Sequence, residues 1–353
     1  VCIIAPVSSW AAAVTSAVPA DSGINGFTMF LRTIPYNFYA LLTLIFMMVT
    51  IVARIDYGPM KLHEDNALNG DLYTTPERPF AEDEENDKKA NGTVMDMVLP
   101  VLFLIIMAIF FMLYTGGVFR GESVVDAFAN CNAAKSLVMA SMLTIFATLI
   151  FYKLRNLVSF HDSMDGLTTG FKSMSSPIII LILAWTLSSM TNLLGANIFI
   201  HDFVASQAGE LKMFLPFIIF IISVVLSFAT GTSWGIFTIL IPIVCNVFPD
   251  SYEMLVISIA ACLSGAVCGD HCSPISDTTI MSSAGARCLH VNHVNTQLPY
   301  AMTVAAVSGF GYLLAGIIGY NTGSQIALIS LPVSIAVLVM VLFIIKKRTT
   351  VKA

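Results

Sequence analysis

Charge is what this chain has least of. Only 11% of its 353 residues are Asp, Glu, Lys or Arg, against 57% hydrophobic ones, where a soluble domain carries about 25% charged residues. With a mean hydropathy of +0.83, this scarcity excludes an ordinary soluble domain. Strict alternation of apolar and polar residues over ten-residue segments is lacking too. The apolar runs continue for roughly 20 residues, the length of a membrane-spanning helix, which excludes a membrane β-barrel. The composition predicts an all-α polytopic membrane protein.

Other absences narrow the class. The seven cysteines (Cys2, Cys131, Cys245, Cys262, Cys268, Cys272, Cys288) are odd in number and lie mostly inside apolar runs. They read as small apolar residues and not as a disulfide frame. Cys268, His271 and Cys272 are spaced like half of a metal site, but no second ligand pair accompanies them, so zinc is not expected. Asp270-His271 beside Ser273 is the one group suggestive of hydrolytic chemistry, and adjacency in sequence is not triad geometry. An enzyme is therefore not expected. A channel would need a continuous polar stripe along several spans, and none is present.

What is there centres on residues 264–285, Ser-Gly-Ala-Val-Cys-Gly-Asp-His-Cys-Ser-Pro-Ile-Ser-Asp-Thr-Thr-Ile-Met-Ser-Ser-Ala-Gly. An apolar run leads into it from Met254. Gly265, Gly269 and Pro274 are expected to break the helix, and freed backbone groups are tolerated at membrane depth only against protein or a polar cavity. An ionisable group inside the bilayer costs at least ~2.5 kcal/mol, so Asp270 and Asp277 together mark a candidate site. The alternative is a polar loop between two helices, against which stands the lack of any Lys or Arg in the stretch. Carboxylates, hydroxyls and freed carbonyls suit a hard cation such as Na⁺ or H⁺, as in transporters built on broken helices.

Along the chain, 1–18 is an apolar segment interrupted by Pro6, Ser8 and Ser9. Residues 36–53 form a span ending at Arg54. Residues 56–92 hold ten acidic and four basic residues and read as a solvated linker. Spans follow at 94–114, 136–152 and 177–194, the last ending in Thr191 and Asn192. Residues 156–174 carry a helical apolar stripe suited to the membrane surface. Residues 213–248 read as a re-entrant hairpin, two short apolar arms joined by Thr230-Gly231-Thr232-Ser233-Trp234-Gly235, with two ordinary spans and a tight turn as the alternative. A broken span at 254–285, a full span at 299–318 and a last span at 326–345 complete the chain.

Basic residues at span ends set the orientation. Lys346-Lys347-Arg348 reads as cytoplasmic, and parity then places Arg287, Lys153, Arg155, Lys172, Lys88, Lys89 and Arg54 on the same side. A short repeat has the opposite parity. Arg32-Thr33-Ile34-Pro35-Tyr36 and Thr296-Gln297-Leu298-Pro299-Tyr300 share one pattern, and each opens an apolar span. Inverted repeats with the site where they meet are the mark of an alternating-access transporter. The domains expected are 1–55 as the tail of a first inverted repeat, 56–93 as an acidic cytoplasmic linker, and 94–353 as a second repeat with its hairpin, broken helix and final span. The chain opens Val-Cys-Ile-Ile without Met, and most of the first repeat is expected to be missing from it.

Gly231-Thr232-Ser233-Trp234-Gly235, then Gly269-Asp270-His271-Cys272-Ser273-Pro274-Ile275-Ser276-Asp277-Thr278-Thr279, then Thr296-Gln297-Leu298-Pro299-Tyr300 together resemble the NhaC-type Na⁺/H⁺ antiporter family of the wider ion transporter superfamily. The resemblance covers roughly residues 94–346 well and 1–55 loosely. It implies inverted repeats, each with a hairpin and a discontinuous helix, and often a homodimer. Members include Na⁺/H⁺ exchangers and antiporters of small carboxylates such as malate and lactate, so the resemblance leaves the cargo open.

The expected mechanism is competition between a proton and Na⁺ for one carboxylate, since burial favours the protonated form and a bound cation the ionised one. Asp277 and Asp270 are the expected Na⁺ ligands. Asp277 comes first because hydroxyls flank it on both sides, and Asp270 either joins it or caps freed backbone N–H groups. Ser273, Ser276, Thr278 and Thr279 would add neutral oxygens, faced by Thr232 and Ser233 at the hairpin tip. Asn192, Ser8 and Ser9 are further candidates for lining the cavity. His271 either shuttles protons or hydrogen-bonds locally. His290 and His293 read as a solvated loop, with a pH sensor as the alternative. Transport of organic anions or amino acids on the same scaffold is the rival reading; it calls for a cationic partner that the broken stretch lacks. No cofactor is expected beyond Na⁺ and H⁺ as transported or coupling ions. The expected partners are the lipid bilayer, small ions and a second copy, not nucleic acid, and the expected location is the cell membrane.

Overall fold

The computed structural model describes residues 2–4, 9–19, 25–76, 92–195, 212–248, 251–322 and 325–350. Among them there is no strand. The helices are α1 (Ser9–Ala17), α2 (Gly26–Thr33), α3 (Phe38–Ala53), α4 (Pro59–Leu68), α5 (Val94–Gly116), α6 (Val124–Asn130), α7 (Ala133–Leu154), α8 (Phe160–Leu193), α9 (Leu215–Thr230), α10 (Ser233–Val247), α11 (Tyr252–Cys272), α12 (Asp277–Gly285), α13 (His290–Thr322) and α14 (Ser330–Thr350). Six helical segments of the described residues are long and apolar enough to cross a membrane, and a bent pair, Gly26–Tyr36 with Phe38–Ala53, makes a seventh. The protein is a multi-pass α-helical membrane protein.

Several expected boundaries shift. The surface helix expected at 156–174 and the span at 177–194 are one continuous helix, α8. Pro177 lies inside it and does not end it. Part of the expected acidic linker is ordered as α4, with Pro59 at its first position, where a missing N–H costs nothing. Residues 77–91 of that linker lie outside the described residues.

The centre of the bundle is α11. From Met254 to Ala266 every residue of it is buried, although it is not the most apolar helix. Small residues put it there. Gly265 and Gly269, expected as breaks, lie inside the continuous helix, and only Pro274 falls in the break. An added Cβ at Gly265 would stand 2.5 Å from the Phe220 carbonyl oxygen, and one at Gly269 would stand 2.3 Å from that of Val224. These glycines let α9 lie backbone to backbone along α11. In lipid, close packing of this kind replaces the hydrophobic effect as the force between helices.

The bent pair crosses α11 at its middle. The chain turns by 41° between residues 36 and 38, at Asn37, whose backbone is not helical. The Asn37 side chain accepts a hydrogen bond from Ser264 Oγ on α11 at 2.7 Å. The Tyr312 hydroxyl of α13 lies 2.6 Å from Ser264 Oγ and 2.8 Å from the Tyr36 carbonyl oxygen, and it accepts the Phe38 N–H at 3.3 Å. Backbone groups opened at the bend thus find their partner on α13, as freed groups in a bilayer must, and the Asn37 side chain finds one on α11.

α5 and α7 form a separate antiparallel pair. Ser136 Oγ donates to the Phe111 carbonyl at 3.0 Å near one end. Near the other, Arg155 pairs with Asp96, and the Tyr152 hydroxyl donates to the Asp96 carbonyl at 3.0 Å.

Candidate functional site

The site is built where α11 stops. Ser273 is its C-cap in an extended conformation, and Ser276, also extended, is the N-cap of α12. The four residues between the two helices, Ser273 to Ser276, are the break. Ser276 Oγ accepts from the Thr279 N–H at 3.4 Å and lies 2.8 Å from Thr278 Oγ1. Ser273 Oγ accepts from the Ile275 N–H at 3.4 Å. Pro274 explains the interruption, since it has no N–H to continue the helix. The Ser276 hydroxyl closes the start of α12 by accepting an orphan amide, and the Ser273 N–H closes the end of α11 on the Asp270 carbonyl at 3.1 Å.

The hairpin meets this break. With the 3₁₀ turn Lys212–Phe214 ahead of it, α9 belongs to the segment Lys212–Thr230, one of the six long and apolar enough to span. Its C-cap Gly231 has φ +66°, the left-handed region glycine favours. An added Cβ there would also stand 2.7 Å from the Ile275 carbonyl oxygen, so the tip presses directly on the break. Thr232 then starts α10 in an extended conformation, and its carbonyl accepts from Ser227 Oγ at 3.3 Å. Trp234 packs its ring 5.3 Å from that of Trp10 on α1.

Ser233 is the contact that matters. It is buried, and its Oγ donates to Asp270 Oδ2 at 2.7 Å. Asp270 is only 5% exposed. Its other oxygen, Oδ1, is buried without a hydrogen-bond partner. Among the described residues no backbone N–H donates to this carboxylate, so the capping role allowed for Asp270 is not the one it plays here. The hydroxyls of Ser276 and Thr278 also approach it, and Asp277, the first residue of α12, is close enough for the two carboxylates to interact. Thr279 is buried, with its Oγ1 unpartnered.

The break therefore gathers Asp270, Asp277, Ser233, Ser276 and Thr278 around one carboxylate, with Ser273 and Thr279 in the same turn of chain. Thr232 stands beside them at the tip. Asn192 lies in the last turn of α8, and its side chain is outside the described residues, as are Ser8 and the side chain of Ser9. His271 Nδ1 lies 3.3 Å from the Tyr39 hydroxyl, a local hydrogen bond between α11 and α3. A groove of about 700 Å³ between α7 and α8 holds none of the candidate residues.

Two polar residues of α13 take places that the sequence reading did not expect for them. His290, expected in a solvated loop, is the first residue of α13, and its Nε2 lies 2.6 Å from the Pro274 carbonyl oxygen. Gln297 Nε2 donates to the His271 carbonyl at 2.9 Å. The signal in the sequence was weak: a polar pair seven residues apart ahead of an apolar run.

The profile of the Na⁺/H⁺ antiporter family matches residues 1–317. An uncharacterized protein of Haemophilus influenzae is 34% identical over 361 residues, an alignment that takes in 98% of this chain and 66% of that relative's length. No solved structure matches. A profile spanning most of the chain, and with it the hairpin, the broken helix and its two aspartates, means that this protein belongs to the Na⁺/H⁺ antiporter family.

Proposed function

We propose that this chain carries the ion site of a secondary antiporter that exchanges Na⁺ for H⁺ by alternating access, of the NhaC type. The observation that carries the reading is Asp270: a carboxylate buried at a helix break, one oxygen held by the hairpin serine and the other without a partner. A buried carboxylate oxygen needs a proton or a cation. Either can sit on Oδ1, and both cannot, so occupancy by one displaces the other. That exclusion couples two opposed fluxes.

Asp270 is the first ligand in this reading. Asp277 adds a second charge, and the hydroxyls of Ser233, Ser276 and Thr278 add neutral oxygens suited to a hard cation. No Lys or Arg lies in the break, which favours a small cation over an organic anion as the group bound there. No cofactor is involved. Lys346 Nζ donates to the Ala53 carbonyl at 2.8 Å, so the ends of α14 and α3 lie together, and Arg54 and Lys346-Lys347-Arg348 share that end. By the positive-inside rule it is the cytoplasmic one. The two Pro-Tyr boxes belong to inverted repeats, the second of them 94–353, with α9 and α10 as the hairpin. The working form is a homodimer in the cell membrane.

The test uses the purified protein in proteoliposomes loaded with a pH-sensitive dye. Pulses of Na⁺, Li⁺ or K⁺ are added, with and without malate or lactate, to wild type, Asp270→Asn and Asp277→Asn. The expected result is a Na⁺-driven proton signal that needs no carboxylate and falls by at least ~100-fold in Asp270→Asn, as for the loss of a buried charged ligand. A signal that appears only with an organic anion would instead make the cation a coupling ion and sink this reading.

A further inference from the structure

The break opens two carbonyls that the local chain does not close, those of His271 and Pro274, and both are reached from α13. Gln297 Nε2 is 2.9 Å from the first, and His290 Nε2 is 2.6 Å from the second. A carbonyl only accepts, so Gln297 presents its amide NH₂ and His290 carries a hydrogen on Nε2. The other ring nitrogen of His290, Nδ1, lies 3.1 Å from Ser283 Oγ on α12, and that oxygen is 2.9 Å from the Ile280 carbonyl. One imidazole therefore joins the break, α12 and α13.

His290 and Gln297 are seven residues apart on a continuous helix, two turns on the same face. The two carbonyls they hold lie between Asp270 and Asp277 in the chain. Whatever fixes those carbonyls fixes how far the end of α11 stands from the start of α12, and so how the two carboxylates face one another.

We propose that His290 and Gln297 are positioning residues of the ion site. They touch no ion. They hold the broken backbone in the spacing at which Asp270, Asp277 and the hydroxyls converge, and so set the affinity for the cation. This rests on the ion site proposed above, and the experiment separates the two.

Half-saturating Na⁺ and maximal rate are measured for wild type, His290→Leu, Gln297→Leu and His290→Gln, the last of which keeps an N–H donor. Gln297→Leu, which loses a partly buried hydrogen bond, is expected to raise half-saturating Na⁺ about tenfold, and His290→Leu, whose bond to Pro274 is exposed, about fivefold, with the maximal rate within about threefold in both. His290→Gln should stay within about threefold of wild type on both. Leucine variants that saturate like wild type, or a His290→Gln as weak as His290→Leu, would overturn the assignment. A second readout needs no transport: the rate at which N-ethylmaleimide labels Cys272, read by peptide mass spectrometry. Cys272 is 4% exposed and sits between the two held carbonyls. Labelling should quicken in both leucine variants and not in His290→Gln; unchanged labelling overturns the proposal. If wild type moves no Na⁺, the ion reading fails, and the labelling still decides whether these residues hold the break.

Discussion

α5 and α11 are both candidate membrane spans, and they are used in opposite ways. α5 is the more apolar of the two, yet none of its most apolar window is buried inside the protein; for α11 the buried share is 83%. In water the order would be reversed, because apolar surface is driven inward. In a bilayer the lipid is as apolar as leucine, so greasy side chains gain nothing by facing protein. Small and polar residues do gain, because they allow close backbone contact and find hydrogen bonds that lipid cannot offer. α5 shows Ile105, Ile106 and Phe110 outward. α11 buries Ser258, Ser264, Gly265, Gly269 and Asp270. In this protein the helix at the centre of the bundle is the less hydrophobic one.

The contrast can be broken most sharply at Gly269. A Val there would drive its Cβ to 2.3 Å from the Val224 carbonyl oxygen and 2.7 Å from the Phe228 backbone nitrogen. Backbone cannot step aside as a side chain can, so destabilisation of about 3 kcal/mol or more is expected. The readout is thermal unfolding in detergent, with Ile106→Val on α5 as the reference. Ile106 is 58% exposed, and its change should stay within about 0.5 kcal/mol. Equal shifts at the two positions would mean that α11 does not pack as described.

A smaller effect is expected at Tyr312. Phenylalanine keeps the ring against Phe38 and Phe220, whose centroids are 4.7 and 5.2 Å away. It removes the hydroxyl that serves Ser264 and the backbone at the Asn37 bend. Buried partners left unpaired cost about 1–3 kcal/mol. A Tyr312→Phe protein that melts with wild type would show that the bend closes its own hydrogen bonds.

The smallest effect belongs to the α5–α7 pair. Arg155 and Asp96 form an ion pair at one end of these two helices, and the Arg155 side chain is 38% exposed. Pairs so open to solvent contribute about 0–1 kcal/mol. Arg155→Met should lower the unfolding temperature only slightly, and salt should shrink the difference further. A large loss would place this pair among the structural centres of the molecule, beside α11.

Much of this layout is legible in the residues. Most of the candidate spans follow from continuous apolar runs, and the break at 273–276 follows from a proline among serines with a carboxylate on either side. The short arms around Gly231 foretold the α9–α10 turn. The glycines were misread, because in sequence a glycine inside a helix looks like a break, while in space Gly265 and Gly269 mark where another helix's backbone arrives. α8 was divided in two for a similar reason: Pro177 reads as a local stop signal, yet the helix runs through it.

The sequence by itself determined that this is a helical membrane protein, that its chain breaks at Pro274, and which acidic and hydroxyl residues lie at that break. Those follow from hydropathy and from backbone chemistry, which are local. Tertiary structure alone decided the partners. Ser233 reaches Asp270 across 37 residues of chain. Gln297 and His290 reach the break from another helix, and Asn37 meets Ser264 from a distant span. Which oxygen of Asp270 is held and which is left free depends on how α9 and α11 pack, and a packing distance is a property of the folded chain.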